Sequence, residues 1–445
     1  MGRWLLLGSL AALVGILVGA AKLSAGSFSL VGLMTISVAV IAVSVSASRL
    51  TMRRDGPRGL LAQSFHYFSR PSTGTLDRKA IEALQKSESA WKGEALERNT
   101  NRWCRVLSEE EVRDAIAAVT HAETALLRGG ASLSSLRLAD FPLNALAKVV
   151  QECKRELKGV RGLGFILLRG LPLDRWSESQ AELFFWGLGM HLGVPGAQNN
   201  NGDLLGHVID LGGDPDKDRQ FKTNVKIDLH CDAADVVGLL CLHPSRKGTG
   251  LSSLVSSVSV LCKLWEEQGD SETVSVLQQS RFHLDTRGSG GINFFTLPVV
   301  AYSHTGEVKT FWHSEYFRSW VQYPDAPRQK DSAAVAALDA WDEIAERPGF
   351  QLHMELQRGD IQLVNNHVVV HARTAYDDTG MEHKRHLLRL WLSLDEEAGA
   401  ERASVRNRVS RFLSTLRLLT SFVRGKIRRR LLRKAESRKG CEEYG

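Results

Sequence analysis

His230-Cys231-Asp232, separated by three residues from Val236-Val237-Gly238-Leu239-Leu240-Cys241-Leu242, sets the pattern for the whole chain. The second part is apolar without interruption, too short for a core helix, and bounded by polar residues. Such a run reads as a strand. Further strand-like runs lie downstream at 298–303, 308–312 and 361–370, and one lies upstream at 164–170, closed by Gly170 and Pro172. Thr305-Gly306 suits a hairpin turn between two of them. Helical segments are inserted at 177–192 and 331–346, and Leu107-Ser108-Glu109-Glu110-Glu111 reads as a capped helix start with acidic residues in its first turn. Many short strands with inserted helices predict a mostly β, α+β chain built as a double-stranded β-helix, or jelly roll.

In an extended segment, residues two apart point to the same side. His230 and Asp232 therefore present an imidazole and a carboxylate together. His371 closes the apolar run Asn366-His367-Val368-Val369-Val370 and supplies a third donor from a distant strand. Two histidines and one carboxylate form a facial triad with open positions, the arrangement of non-haem Fe(II) oxygenases. Downstream, Arg385 and Arg389 lie four apart in Arg385-His386-Leu387-Leu388-Arg389 and point to one strand face. A guanidinium holds a carboxylate in fixed bidentate geometry, as a dicarboxylate cosubstrate requires at its end far from the metal. H-x-D alone is common by chance. Its weight comes from order: H-x-D, a long insert, then His, then Arg in a short strand. His367, four residues before His371, is a rival ligand, while His207, His243 and His313 have ordinary structural readings.

The 43% hydrophobic fraction is that of a folded protein. Six scattered cysteines with no C-x-x-C spacing fit neither a zinc ribbon nor a disulfide framework, and point to a reducing compartment. Residues 401–445 carry 14 Lys and Arg against 4 Asp and Glu, or +10, so residues 1–400 contribute −3 to the net +7. The body is mildly acidic, which argues against a nucleic-acid-binding core.

Both ends read differently from the body. Trp4–Ala21 and Phe28–Ala47 are two uncharged, largely apolar blocks near the ~20 residues a membrane span needs. With Arg49, Arg53, Arg54 and Arg58 after the second block, residues 1–58 are expected to be a hairpin membrane anchor that leaves the body in the cytoplasm. A cleaved signal peptide and a single span are the competing readings. Residues 59–90 read as a linker, 91–400 as the catalytic domain, and 401–445 as a basic amphipathic tail suited to anionic lipid.

The words Trp91-Lys92-Gly93, Gly170-Leu171-Pro172, His230-Cys231-Asp232, Gly250-Leu251-Ser252-Ser253, Gly359-Asp360-Ile361-Gln362, Asn365-Asn366, His371-Ala372-Arg373 and Arg385-His386-Leu387-Leu388-Arg389 together resemble the TauD/TfdA family of taurine catabolism dioxygenases, from about Trp91 to Leu394. That resemblance implies an Fe(II)/2-oxoglutarate-dependent dioxygenase that uses O₂ and releases succinate and CO₂ while it oxidises a small organic substrate. It implies iron on His230, Asp232 and His371, with the distal carboxylate of 2-oxoglutarate on Arg385 and the Ser253 hydroxyl. Arg389 matches a second arginine, which faces the primary substrate in sulfonate-using members. His207 falls near a substrate-contacting histidine. Lys226 replaces the family's taurine-binding asparagine, which puts taurine itself in doubt, while Lys226, Arg389 and Arg373 hint at an anionic or zwitterionic substrate. Retention of Asp232 speaks against a halogenase. The alternative reading is a catalytically silent, membrane-tethered jelly-roll binding module. Reaction outcome and oligomeric state stay open.

Overall fold

Alternation along each strand organises the molecule. The structure is a computed structural model. It describes residues 57–394 apart from short stretches at 69–71, 130–131, 214–221, 269–271, 280, 288–292, 325 and 328–329. The expected membrane anchor and basic tail lie outside the described residues. Among those described, no helix is long and apolar enough to cross a membrane.

The strands in chain order are β1 (Cys104–Val106), β2 (Phe165–Arg169), β3 (Val194–Gly196), β4 (Leu205–Ile209), β5 (Ile227–His230), β6 (Val236–His243), β7 (Ser252–Ser256), β8 (Phe282–Asp285), β9 (Phe294–Leu297), β10 (Val300–Tyr302), β11 (Val308–Thr310), β12 (Leu352–Met354), β13 (Ile361–Asn365), β14 (Val369–Arg373) and β15 (His386–Ser393). A seven-stranded sheet runs β1-β2-β13-β6-β15-β3, with β4 also on β15, and a four-stranded sheet runs β12-β7-β14-β5.

In the large sheet, Ile166, Leu168, Leu240, Leu363, Leu388 and Leu390 pack with Phe184, Phe185 and Leu188 of the helix Glu178–Leu192. Their neighbours Phe165, Leu167, Val237, Cys241, Val364, Leu387 and Trp391 face the other way, into a core shared with Leu254 and Val369 of the small sheet. A sheet covered on both faces needs apolar residues at every position. That is why these strands read as continuous hydrophobic runs. The result is a mixed α/β fold in which two sheets share one core and helices flank them.

Two expectations are revised. The run 361–370, read as one strand, is two strands in different sheets, β13 and β14, joined by a turn at Asn366-His367-Val368. Asn366 closes that turn: its side chain accepts from the Asp232 amide and donates to the Ala234 carbonyl. The segment 59–90, read as a linker, instead carries the helices Leu60–Phe68 and Arg78–Gln85, with Tyr67, Ile81 and Leu84 buried in the shared core. The surrounding charged residues Arg78, Lys79 and Glu82 hid that apolar spacing in the sequence.

Capping holds the expected helices in place. Ser177 and Gln180 form a reciprocal capping box on Glu178–Leu192, and Asp331 caps Ser332–Ala345. Gly306, at φ +88°, turns β10 into β11, as Thr305-Gly306 suggested. Gly93 is required sterically, since a Cβ there would stand 1.9 Å from the Gln351 carbonyl oxygen.

Candidate active site

The three expected metal donors come from the last residue of β5, the turn that follows it and the middle of β14. His230 ends β5 and sits opposite His371 of β14 in antiparallel register. Asp232 follows two residues on, its amide held by Asn366 Oδ1 at 3.3 Å. Cys231, between them, points away and donates to the Asn366 carbonyl. One ligand atom from each of His230, Asp232 and His371 lies within 4.8 Å of the others. The His230 and His371 rings are 4.2 Å apart, and His371 Nε2 is 3.8 Å from Asp232 Oδ2.

The donor set fits a divalent first-row ion. His230 Nδ1 lies 2.8 Å from the Asp228 carbonyl oxygen, so that nitrogen carries the proton and Nε2 keeps its lone pair for metal. Burial, reinforced by His230, pushes the His371 pKa down to about 3, which keeps the ring neutral as a ligand must be. Burial alone would raise the Asp232 carboxyl. Arg389, His371 and His230 together outweigh it and hold the pKa below the usual carboxylate value. Arg389 Nη1 reaches Asp232 Oδ1 at 3.4 Å, while Oδ2 is buried with no hydrogen-bond partner, in the position of a metal ligand.

His367, the rival ligand, is engaged elsewhere. It shares the buried carboxylate of Asp235 with His66, each imidazole Nε2 at 2.7 Å, and the Leu394 amide donates to the same group. Burial opposes ionisation of Asp235, but those histidines carry its pKa well below the carboxylate range. This cluster ties the helix Leu60–Phe68 to the end of β15, and sequence reasoning did not single out Asp235.

Arg385 and Arg389 share one face of β15 with Leu387 and Trp391, toward the common core. Arg389 is spent on Asp232 and on Gln198, whose Oε1 accepts from Nε at 2.7 Å. Arg385 stands beside Arg373, which lies two residues beyond His371 on the same face of β14. Both guanidiniums lie over the Tyr376 ring, at 4.7 Å for Arg373 and 5.2 Å for Arg385. Arg373 Nη2 donates to the carbonyls of Thr223 and Val225. Arg373 Nε and Nη1, Arg385 Nη1 and the Tyr376 hydroxyl are buried without partners. Burial, then repulsion from Arg385, lowers the Arg373 pKa to about 10. Two adjacent buried cations with unpaired donors are a pair suited to an anion. It lies about 7 Å along β14 from His371, two residues at ~3.3 Å each.

Three other candidates are placed away from these groups. Ser253 registers with Ala372 and His353, so it shares the sheet face opposite to His371 and Arg373. Its hydroxyl bonds His353 Nδ1 at 2.8 Å. Ser252 is the serine on the inner face, bonded to Gln362 of the large sheet. Lys226 is largely exposed and pairs with Asp228 at 2.8 Å. His207 registers with Leu388, on the helix-facing side of the large sheet, and bonds His386 at 2.9 Å. A one-residue change of face, visible only from register, removed Ser253.

Comparison with known proteins identifies the family. Residues 127–391 match the family model "Taurine catabolism dioxygenase TauD, TfdA family". The chain is 29% identical over 329 residues to FR-33289 synthase of Streptomyces rubellomurinus, covering 71% of this chain and 93% of that one. It is 25% identical over 312 residues to the taurine hydroxylase-like protein SAT17 of Stachybotrys chartarum, covering 65% and 75%. Among solved structures it is similar to asparagine oxygenase in complex with Fe(II), 2S,3S-3-hydroxyasparagine and succinate, with TM-score 0.53 and 18% identity over 69% of this chain and 98% of that one.

Proposed function

Because the chain belongs to the TauD/TfdA family of taurine catabolism dioxygenases, we propose that it hydroxylates, or otherwise oxidises, a small anionic or zwitterionic organic molecule. It is a non-haem Fe(II)/2-oxoglutarate-dependent dioxygenase, with Fe(II), 2-oxoglutarate and O₂ as its requirements. In this reading the core is a double-stranded β-helix, with iron on His230, Asp232 and His371. The bound iron supplies O₂ activation coupled to decarboxylation of the cosubstrate.

The chain's own residues position and enclose. Arg389 fixes the Asp232 carboxylate through Oδ1 and leaves Oδ2 for the metal, while Gln198 holds Arg389 in turn. The Asp228 carbonyl orients His230. Arg385 and Arg373 receive carboxylate charge at the far end of the cavity, and the Tyr376 hydroxyl is a third donor there. Burial of these groups excludes water, so each charge-assisted bond is stronger than it would be at the surface.

The observation that carries this reading is the pair of buried guanidiniums with unpaired donors: Arg373 on the same face of β14 as His371, and Arg385, just before β15, with it over the Tyr376 ring. A silent binding module would have no use for three convergent metal donors beside it. The test is succinate formation by the full chain with Fe(II), 2-oxoglutarate and O₂, with and without candidate anionic substrates. Slow succinate release that is stimulated by an anionic or zwitterionic compound and lost in Asp232→Ala supports the reading. No succinate from the Fe(II)-loaded wild type overturns it.

We also propose that Trp4–Ala21 and Phe28–Ala47 tether the enzyme to a membrane, with the body on the cytoplasmic side and the basic tail on anionic lipid of the same face. The support is their uncharged length and the arginines that follow them. Flotation of the full chain with phosphatidylserine vesicles, lost when residues 1–58 are removed, is the expected result. Full-length chain that stays at the bottom of the gradient refutes it.

A further inference from the structure

A second group of imidazoles and carboxylates lies on the opposite face of the large sheet from the active site. Glu178 and Glu182 are one turn apart on the helix Glu178–Leu192 and so face the same way. Beneath them, His207 of β4 registers with Leu388 while His386 lies two residues before Leu388 on β15. The two histidines therefore point to the same side, up at the helix. Glu178 Oε1 is 3.9 Å from Nδ1 of His207 and 3.9 Å from Nδ1 of His386. Those separations exceed hydrogen-bond distance, so the carboxylate stands between two imidazole nitrogens without bonding either. Glu182 Oε1 lies 3.7 Å from His207 Nε2. Two more imidazoles stand at the rim: the His243 ring stacks on His383 at 4.3 Å and lies 6.5 Å from His386.

We propose that Glu178, His207 and His386 form a second metal site, selective for a borderline divalent ion of the Zn(II) class. Zinc binds imidazole nitrogen at about 2.0–2.1 Å and carboxylate oxygen at about 2.0–2.2 Å, so tetrahedral ligand atoms sit about 3.4 Å apart. The observed 3.9 Å gaps close to that with shifts of about 0.5 Å, small for an exposed Glu178 side chain on the first turn of a helix. Glu182 takes the outer position: it accepts from His207 Nε2–H and leaves Nδ1 as the ligand, the carboxylate–histidine–metal arrangement that fixes ring orientation. Two nitrogens and one oxygen suit a first-row transition ion and not Ca(II) or Mg(II), which take all-oxygen shells. Without metal, His207 Nδ1 and His386 Nε2 hydrogen-bond each other at 2.9 Å, a contact that the ion replaces when it takes Nδ1 of His207.

The site's position gives it a consequence. His386 directly follows Arg385, so an ion that bonds the helix to β4 and β15 also braces the strand end that presents Arg385 to the active site. The site is a staple between the helix layer and the sheet, remote from the substrate cavity.

Zinc content of the full chain, measured by mass spectrometry after equilibration with Zn(II) and desalting, tests this directly. The expected result is two zinc ions in the wild type, one in Asp232→Ala, and one in Glu178→Gln and in His207→Gln. Glu178 and His207 are exposed, so both substitutions leave the fold intact, checked by an unchanged metal-free melting temperature. In Asp232→Ala, zinc raises the melting temperature, and adding His207→Gln abolishes the rise. A wild type that retains one zinc ion, lost in Asp232→Ala and kept in Glu178→Gln, overturns the proposal. Zinc loading of Asp232→Ala unaffected by both Glu178→Gln and His207→Gln overturns it as well.

Discussion

Replacing Arg373 by Gln tests whether the buried guanidinium pair serves the cosubstrate. In the wild type, Arg373 Nε and Nη1 and Arg385 Nη1 have no protein partner. A carboxylate bound there gains charge-assisted hydrogen bonds worth about 1.5–3 kcal/mol each. Arg373→Gln removes that contribution, and relief of the repulsion between Arg373 and Arg385 offsets part of the loss. The net expectation is about 1.5–3 kcal/mol, or roughly 10- to 150-fold weaker 2-oxoglutarate binding, at a tenfold change per 1.4 kcal/mol. Glutarate, which keeps the distal carboxylate but lacks the keto group, is the sharper probe, because its binding bypasses metal chelation. The assay is calorimetric titration of the metal-free full chain with each compound. Arg373 also donates to the carbonyls of Thr223 and Val225, so the variant will be less stable as well. A lower melting temperature with unchanged affinity for both acids would mean that Arg373 only ties down that loop, and the cosubstrate reading would be refuted.

Four further outcomes are expected. Asp232→Ala loses the metal carboxylate and frees Arg389, and should abolish turnover and Fe(II) binding while 2-oxoglutarate affinity in the absence of metal changes little; retained iron by metal analysis would count against the donor assignment. Ser253→Ala should change the KM for 2-oxoglutarate, and Lys226→Ala the KM for the stimulating substrate, by less than about twofold, because Ser253 faces away from His371 and Arg373 and Lys226 is solvated beside Asp228; a tenfold rise for either would restore the role that the family resemblance implies. Asp235→Asn leaves His66 and His367 around a neutral amide and should cost on the order of 3–5 kcal/mol in denaturant unfolding, with iron content unchanged. For the metal-free protein, His371 is held neutral in the fold with its pKa near 3, while the unfolded chain takes up a proton near 6.5. The unfolded state thus binds more protons between those values, so stability should fall as pH drops from about 6.5 toward 3, and a flat melting temperature across that window would contradict the buried neutral imidazole.

The donors were legible in the sequence because each depends on local geometry. His230 and Asp232 share a side in any extended segment, and His371 ends a β-branched apolar run that reads as a strand. The apolar runs of β2, β6 and β15 were visible as strands for the same reason: residues at consecutive positions face two different hydrophobic layers. The helices at 177–192 and 331–346 were legible as segments, while their caps, Ser177 with Gln180 and Asp331, came from the structure. Asp235 and His367 were not legible as partners, since their hydrogen bond spans 132 residues of chain.

What the sequence determined by itself was the chemistry: two imidazoles, a carboxylate and downstream arginines in an order that fixes an oxygenase family. What only the tertiary structure decided was the facing and pairing of those groups. The run 361–370 had to break into two sheets before His371 could meet His230. Register turned Ser253 outward and Ser252 inward, and took His207 to the helix side. Arg389 went to Asp232, which left Arg373 and Arg385 together over Tyr376. The physical reason is that strand period fixes which residues share a face, whereas which face is inside depends on partners brought close only by folding.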